Sequence, residues 1–126
     1  MTNIFDNDIL ETQTSDSLFI DLECGYGQPS VSTVYLKNKS GTVKTLLEFN
    51  NNAIHLKIGN IPDIKYNVLE IHTTIDDIRD SLDEQMDISM KIVISENNSN
   101  FVSTDFTRKT KGKGSRINSF YTVTVL

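Results

Sequence analysis

The residues with the clearest chemical potential form a basic segment, residues 108–116, with the sequence RKTKGKGSR. This segment holds five of the twelve lysines and arginines of the chain and no acidic residue, whereas the whole chain has a formal charge of -5. Two glycines interrupt the charges, which predicts a solvated loop rather than a part of the core. The candidate partner-binding residues of this basic segment are Arg108, Lys109, Lys111, Lys113 and Arg116.

The chemistry available to the basic segment is the binding of a negatively charged partner. A nucleic acid is one such partner, but nucleic-acid sites normally add aromatic or planar side chains that stack on bases, and the segment contains none. The rest of the chain is strongly acidic, so long-range repulsion from a polyanion opposes the contact. A protein surface is therefore the preferred partner, and nucleic acid is the less favoured alternative.

A second charged segment, residues 76–87, contains six carboxylates and a single arginine, Arg79. Calcium loops alternate carboxylates and place a glycine at the turn, and this segment has neither feature. We interpret it as the solvated face of a short helix, because Thr74 is a good N-cap and acidic residues crowd the first turn. The alternative is a row of carboxylates that docks on a basic groove of a partner. The residues of this acidic row are Asp76, Asp77, Asp80, Asp83 and Glu84.

The two histidines, His55 and His72, could in principle bind a divalent metal together with Glu70. Glu70 and His72 are two residues apart on a predicted strand, so they share a face. Such a site requires the two strands to be paired, and a histidine exposed on a sheet is the commoner outcome. We therefore expect no metal and no cofactor.

Motifs of known catalytic chemistry are missing from the sequence. It contains no nucleophile elbow, no HExxH or CxxC motif, and no GxGxxG motif after a strand. The sequence KGKGS resembles a phosphate-binding loop only superficially, because the first glycine and the Lys-Ser/Thr pair are missing. The single cysteine, Cys24, follows an alternating apolar pattern, which predicts a small buried hydrophobic residue rather than a nucleophile. We expect a protein that is not an enzyme.

Length and composition are those of a single-domain protein. The 126 residues are enough to bury a core without disulfide or metal support, and one cysteine excludes an internal disulfide. The first residues lack the features of a secretory signal, and no apolar run approaches the roughly 18 to 20 residues that span a bilayer. These observations predict a soluble, acidic protein that is cytoplasmic or part of an assembled particle.

The elements that must position these residues are predicted to be mostly strands. One alanine stands against fourteen isoleucines and thirteen threonines, and apolar residues alternate with polar ones along most of the chain. The final strand carries apolar residues on both faces, which predicts a strand that is central in a sheet or covered on both sides. We predict an all-β fold, an antiparallel β-sandwich of jelly-roll or immunoglobulin-like type, with about seven to eight strands and one short helix near residues 75–84. Residues 1–16 are predicted to form an N-terminal arm packed on the domain of residues 17–126.

Three functions are compatible with such a fold. The preferred one is a non-catalytic protein-interaction or structural module, which pairs with copies of itself or with another subunit of a bacterial or phage assembly. The first alternative is an acidic inhibitor or immunity-type protein that covers the nucleic-acid-binding site of a partner. The second is a sandwich that binds a small ligand or sugar through tyrosines, the candidates being Tyr26, Tyr35, Tyr66 and Tyr121.

The order of the last strands decides whether the acidic and the basic segment lie close together. If the last three strands form a simple meander, the acidic helix and the basic loop lie at the same end of one sheet. Their opposite charges would then neutralise each other within one molecule or form a bipolar patch that faces another protein.

Overall fold

The fold is seen in a computed structural model, which describes residues 2–25, 29–76, 86–110 and 116–126 of the chain. Within these residues the chain forms nine strands and one helix of four residues. The strands are β1 (Thr2–Leu10), β2 (Ser17–Cys24), β3 (Ser30–Lys37), β4 (Val43–Asn50), β5 (Ala53–Asn60), β6 (Val68–Asp76), β7 (Met86–Asn97), β8 (Asn100–Thr110) and β9 (Arg116–Val125), and the helix is α1 (Ile61–Ile64). No helix in the described part of the chain is long and apolar enough to cross a membrane.

The strands form two sheets that enclose a common core. Sheet A has the order β1-β9-β6-β3-β4, and sheet B has the order β5-β2-β7-β8. Neighbouring strands pair antiparallel except β1 and β9, which pair parallel. The sheets approach each other through contacts between β1 and β8 on one side of the sandwich and between β4 and β5 on the other, without strand pairing between the described residues. The predicted all-β sandwich is thus confirmed, with nine strands in place of the predicted seven to eight.

The core lies between the sheets and consists mainly of aliphatic side chains. Alternation along β6 buries Leu69, Ile71 and Ile75, and alternation along β7 buries Ile92 and Ile94. Truncation of one such side chain to alanine costs about 2–5 kcal/mol, because it removes buried apolar surface and leaves a cavity. Alternate residues of a strand point to opposite faces of the sheet. Burial of the odd-numbered or the even-numbered residues of a strand (its parity) therefore also decides which side chains lie on the outer face.

Residues 2–10, predicted to be part of an N-terminal arm, form the edge strand β1 of sheet A. Leu10 is buried at the end of this strand, and its carbonyl oxygen accepts a hydrogen bond of 2.9 Å from the backbone N–H of Leu126. The backbone N–H of Thr12 in turn donates to the carbonyl oxygen of Leu126 at 2.6 Å. Backbone hydrogen bonds therefore hold Leu126 beside Leu10 and Thr12.

The simple meander of the last three strands is wrong. β7 and β8 pair in sheet B, but β9 lies in sheet A between β1 and β6. The prediction that β9 is central is confirmed, because β9 lies between β1 and β6. Its two apolar faces fit this position inside sheet A better than the edge position that a meander with β8 would give it. One face contributes Tyr121 and Val123 to the core, while Phe120 on the other face contacts aromatic neighbours of sheet A.

The boundaries of the charged segments also differ from the prediction. Ile75 and Asp76, predicted to begin a helix, belong to β6 and pair with β9, and the rest of the predicted helix lies outside the described residues. Arg108 and Lys109 belong to β8 and Arg116 begins β9, so these basic residues are in strands rather than in a loop. Backbone pairing with neighbouring strands outweighs the polar composition of these positions.

Candidate protein-interaction surface

Four rings on the outer face of sheet A form one continuous line of contacts, which we call the aromatic row. Its members are Phe5, Phe120, His72 and Tyr35. Phe5 stacks on Phe120 with ring centroids 5.0 Å apart and an interplanar angle of 14°. Phe120 meets His72 edge to face at 4.9 Å and 76°, and His72 meets Tyr35 at 5.0 Å and 63°. The row therefore crosses four adjacent strands, β1, β9, β6 and β3.

The sheet register explains how these rings come together. Phe5 lies opposite Phe120 in the β1-β9 pairing, and Phe120 lies opposite His72 in the β9-β6 pairing. Tyr35 lies opposite Glu70, two residues from His72 on the same face of β6. The neighbours of Phe120, His72 and Tyr35 along their strands are buried or pack against the core, as does Ile4 beside Phe5, so parity directs these rings outward.

The distances between the rings show how the aromatic row stands on the surface of sheet A. Centroid separations of 4.9–5.0 Å match the distance between adjacent strands, about 4.8 Å, so the rings stand beside one another on the sheet. Phe5 and Phe120 each cover one face of the other, the two further contacts are edge to face, and Phe5 at the end of the row is 73% exposed. A row of contacting rings of this kind fits a complementary protein surface.

The outer face of sheet B provides an internal comparison, because its central positions are charged. Glu23 of β2, Lys91 of β7 and Asp105 of β8 lie opposite one another in a cross-strand row of alternating charge. Three depressions on this face, with volumes of about 260 to 380 Å³, all border Lys91. Such a row is typical of a solvated sheet face, although the same face also carries the stacked pair Phe19–His55 and the exposed Phe101. Among the described residues, contacting rings cross four strands of sheet A but join only Phe19 and His55 on sheet B.

The charged segments predicted to bind a partner meet each other within the chain. Arg116 Nε lies 2.8 Å from Asp76 Oδ1, and both side chains are about half exposed, 51% and 48%. On sheet B, Asp87 lies opposite Lys109 in the β7-β8 register. Arg108 donates from Nη1 to the carbonyl oxygen of Thr107 at 3.2 Å. The other predicted members, Lys111, Lys113, Asp77, Asp80, Asp83 and Glu84, lie outside the described residues.

The two histidines do not share a site. His55 is in β5 of sheet B and His72 is in β6 of sheet A. Glu70 and His72 do share a face, with Oε2 and Nε2 3.9 Å apart. His55 stacks on Phe19 at 4.1 Å and 9°, and its backbone N–H donates to Asp21 Oδ1 at 2.7 Å. In the described ranges no three metal-binding side chains form a group.

The four tyrosines proposed for a small ligand do not converge. Tyr121 is buried and donates its hydroxyl proton to Asp8 Oδ2 at 2.5 Å. Burial, this hydrogen bond and the nearby charges of Asp8 and Asp6 raise the pKa of Tyr121 far above its usual value. Tyr66 lies exposed beside α1 with the Lys65 ammonium 5.3 Å from its ring centroid. Tyr35 belongs to the aromatic row, and Tyr26 lies outside the described residues.

Glu96, near the turn of the β7-β8 hairpin, links this hairpin to the segment between β1 and β2. Its carboxylate accepts hydrogen bonds from the backbone N–H groups of Gln13 and Thr14, at 3.0 and 2.6 Å, and from the side-chain amide of Asn100, at 2.6 Å. Burial by itself raises the pKa of Glu96, but the hydrogen bonds from Asn100, Thr14 and Gln13 outweigh it and lower the pKa. This carboxylate therefore has a structural role.

Cys24 behaves as the sequence predicted, as a partly buried residue that packs against the core. Burial raises the pKa of its thiol, and a hydrogen bond of 3.4 Å from Sγ to Ser30 Oγ offsets part of that effect. The thiolate is the reactive form of cysteine, so a raised pKa disfavours nucleophilic chemistry at this position.

Comparison with known proteins adds no further constraint. No protein-family model, no curated protein and no solved structure matches the chain. The protein is thus defined by its class, a nine-stranded β-sandwich, and by the aromatic row on one of its outer faces.

The aromatic row was not identified from the sequence. Its members are scattered along the chain, at residues 5, 35, 72 and 120, and each looks like an isolated outward residue. The only available signal was an aromatic or imidazole ring at a solvent-facing position of four different strands. Strand order and register are needed to turn these four positions into one surface.

Proposed function

We propose that this protein is a non-catalytic protein-interaction module, a subunit of a larger assembly, that binds a protein partner through the outer face of sheet A. The single observation that supports this function best is the aromatic row. A solvated sheet face normally carries polar side chains, as the outer face of sheet B does around Lys91. Four contacting rings on the opposite face are typical of the centre of a protein interface.

The energetics of such an interface follow from the exposure of the rings. A buried aromatic side chain removes about 150–250 Å² from water, worth about 25 cal/mol for each Å² of apolar surface. Phe5 offers most of its surface for this purpose, since it is 73% exposed in the free chain. Neighbouring rings already hold Phe120 and His72 in place, so little side-chain freedom is lost when a partner binds.

The charged residues predicted from the sequence receive a secondary role in this proposal. Asp76 and Arg116 pair with each other, which supports the hypothesis that the two charged segments neutralise one another within the molecule. It also reduces the support for an acidic inhibitor, because the carboxylate of Asp76 already has a cationic partner. We assign such charges to the rim of an interface, where they affect the association rate and its salt dependence more than the affinity.

The test is quantitative affinity capture with the tagged full-length chain, followed by mass spectrometry. The variant Tyr35→Ser/His72→Ser removes two rings from the outer face of sheet A, and Val93→Ser on the outer face of sheet B is the matched control. We expect the double variant to lose at least tenfold of the protein recovered by the wild type and the control to recover it fully. Equal recovery by the double variant, with circular dichroism showing both variants folded, would contradict the proposed function.

A further inference from the structure

We propose that the partner is a second copy of this chain, which adds its own β1 antiparallel to the open edge of β1 so that Phe5 lies opposite Phe5 across a two-fold axis. This inference rests on the proposed function and names the partner. The observations behind it are the backbone direction of β1, the exposure of its side chains and the charges that each register would bring together.

The backbone of β1 has one paired side and one open side. Among the residues that the structure describes, β1 is the first strand of sheet A and pairs with β9 alone. The carbonyl oxygen of Leu10 accepts from Leu126, so the backbone groups of Leu10 point toward the β9 side. Because these groups alternate in direction along a strand, the odd-numbered residues of β1 turn their N–H and C=O groups toward the open edge. The edge can therefore accept another strand.

The side chains of β1 expose apolar surface on the outer face of this edge. Phe5 and Ile9 lie on the same outer face and are 73% and 61% exposed. Asp6 and Asp8 point the other way, toward the second sheet and the core. Asp6 Oδ2 accepts a hydrogen bond from Thr104 Oγ1 at 2.5 Å, and Asp8 accepts one from Tyr121. The two carboxylates thus bind to other strands of the same molecule, and the outer face of the edge carries Phe5 and Ile9 in alternation with the exposed amides of Asn3 and Asn7.

Symmetry and charge limit the alignments of two β1 strands, and the exposed ring of Phe5 selects the one proposed, because only there does this ring lie opposite its own copy. A two-fold axis normal to the sheet keeps outward residues outward, so odd residues must lie opposite odd residues. With Asn7 opposite Asn7, Asp6 faces Asp8 of the other copy, and with Asp6 opposite Asp6 two carboxylates meet on the axis. Like charges directly opposite one another destabilise a strand pair. With Phe5 opposite Phe5, Asn3 lies opposite Asn7, Asp6 lies opposite Ile4 and no carboxylates face each other.

This arrangement extends the aromatic row without a break. The free face of Phe5 meets the same residue of the second copy, so two rows of four rings become one row across the joined sheets. Hydrogen bonds form from Asn3, Phe5 and Asn7 of each copy, the residues whose backbone groups face the open edge. The N–H of Asn7 bonds at 2.9 Å to the exposed carboxylate of Asp6 in the single copy and exchanges this bond for one to Asn3 of the second copy.

Cysteine cross-linking tests both the pairing and its register. In a Cys24→Ser background, Asn3→Cys/Asn7→Cys should form a disulfide-linked dimer under mild oxidation, because Cα atoms of a hydrogen-bonded antiparallel pair are about 5.5 Å apart. Neither single substitution should cross-link, since each cysteine would face an asparagine. Efficient cross-linking of Asn7→Cys alone would overturn the proposed register, and no cross-linking of the double variant would overturn the edge pairing.

A backbone substitution provides an independent measurement. Asn7→Pro removes an N–H that faces the open edge and is not used in the pairing with β9, so the sandwich should fold while the dimer weakens. Sedimentation equilibrium should show dimers of the wild type and of Asn7→Ser, with a rise of about tenfold or more in the Kd of Asn7→Pro. A wild type that stays monomeric at about 100 μM would overturn the inference whatever the variants do.

The two proposals fail separately. A monomeric wild type, combined with loss of a captured protein in Tyr35→Ser/His72→Ser, would remove the second copy as partner and leave the proposed function in place. A dimer blocked by Asn7→Pro, combined with unchanged capture by Tyr35→Ser/His72→Ser, would support edge pairing and contradict the role of the outer face.

Discussion

Phe5 of β1 lies directly opposite Phe120 of β9, and the two rings stack with centroids 5.0 Å apart. This contact joins the edge strand of sheet A to the aromatic row at the centre of the sheet. Because Phe5 is 73% exposed while its neighbours Ile4 and Asp6 point inward, it contributes more surface to a partner than to the core. The parallel pairing of β1 with β9 therefore places Phe5 on the proposed binding surface.

The substitution Phe5→Ser should weaken self-association and leave the stability of the single copy nearly unchanged. We expect the free energy of unfolding, measured by urea denaturation of dilute protein, to fall by less than about 1 kcal/mol, because the ring is mostly exposed. We expect self-association, measured by sedimentation, to be lost, because the ring lies on the two-fold axis. Phe101→Ser is the control, since Phe101 is 53% exposed on the outer face of sheet B. If both variants associate like the wild type, Phe5 is not part of an interface between copies.

Glu96→Gln should destabilise the fold by about 1–3 kcal/mol, because an amide replaces a carboxylate that accepts from Gln13, Thr14 and Asn100. The folded-state pKa of Glu96 lies below its unfolded value, so this contribution is present above about pH 4.3 and is lost as the pH falls through the folded pKa. The measurement is urea denaturation between pH 3 and 7.

The control for this prediction is Glu23→Gln, which changes an exposed carboxylate on the outer face of sheet B. Its effect on the free energy of unfolding should stay within about 0.5 kcal/mol. The wild type and Glu96→Gln should become more similar in stability as the pH falls. A difference between them that is constant over the whole pH range would show that Glu96 does not titrate as the hydrogen bonds require.

Tyr121→Phe should cost about 1–2 kcal/mol of unfolding free energy, because Asp8 loses its hydrogen-bond donor. The pKa of Tyr121 is raised in the folded state, so its contribution is present at neutral pH and decreases as the pH rises above the unfolded value of about 10. Absorbance titration should show one tyrosine that ionises only when the protein unfolds in alkali. Tyr121→Phe should lack this late step, and Tyr35→Phe should retain it.

The Asp76–Arg116 pair should couple weakly, because both side chains are about half exposed. A double-mutant cycle with Asp76→Asn and Arg116→Gln should give a coupling free energy of about 0.2–1 kcal/mol at low salt, and less at high salt. A coupling near zero at low salt would show that the two charged segments do not neutralise each other at this point.

The fold was largely predictable from the sequence because strand alternation is a local property. The apolar-polar alternation along most of the chain predicted strands, and β2 (Ser17–Cys24), with the alternating pattern that includes Cys24, is one of them. The central position of β9 followed from its two apolar faces. β1 was not predicted as a strand, since its outward Phe5 and Ile9 and its inward Asp6 and Asp8 invert the usual pattern. Bonds to Thr104 and Tyr121 satisfy these carboxylates, and only the folded chain supplies them.

The candidate site was less predictable because it depends on strand order. The acidic and basic segments are visible in the sequence as charge runs, and the structure adds that Asp76 and Arg116 meet. The aromatic row requires knowing that β9 separates β1 from β6, which contradicts the predicted meander. Contacts between residues far apart in sequence decide this order, and no local pattern encodes them.

The most direct test of the central claim is site-specific photo-cross-linking from the two outer faces of the sandwich. A photoreactive phenylalanine at position 35 replaces a ring of the aromatic row, and the same residue at position 101 replaces Phe101 on the outer face of sheet B. We expect position 35 to cross-link a protein in the native source, an untagged copy of this chain included, and position 101 not to do so. Cross-links from position 101 alone would contradict the assignment of the binding surface to sheet A.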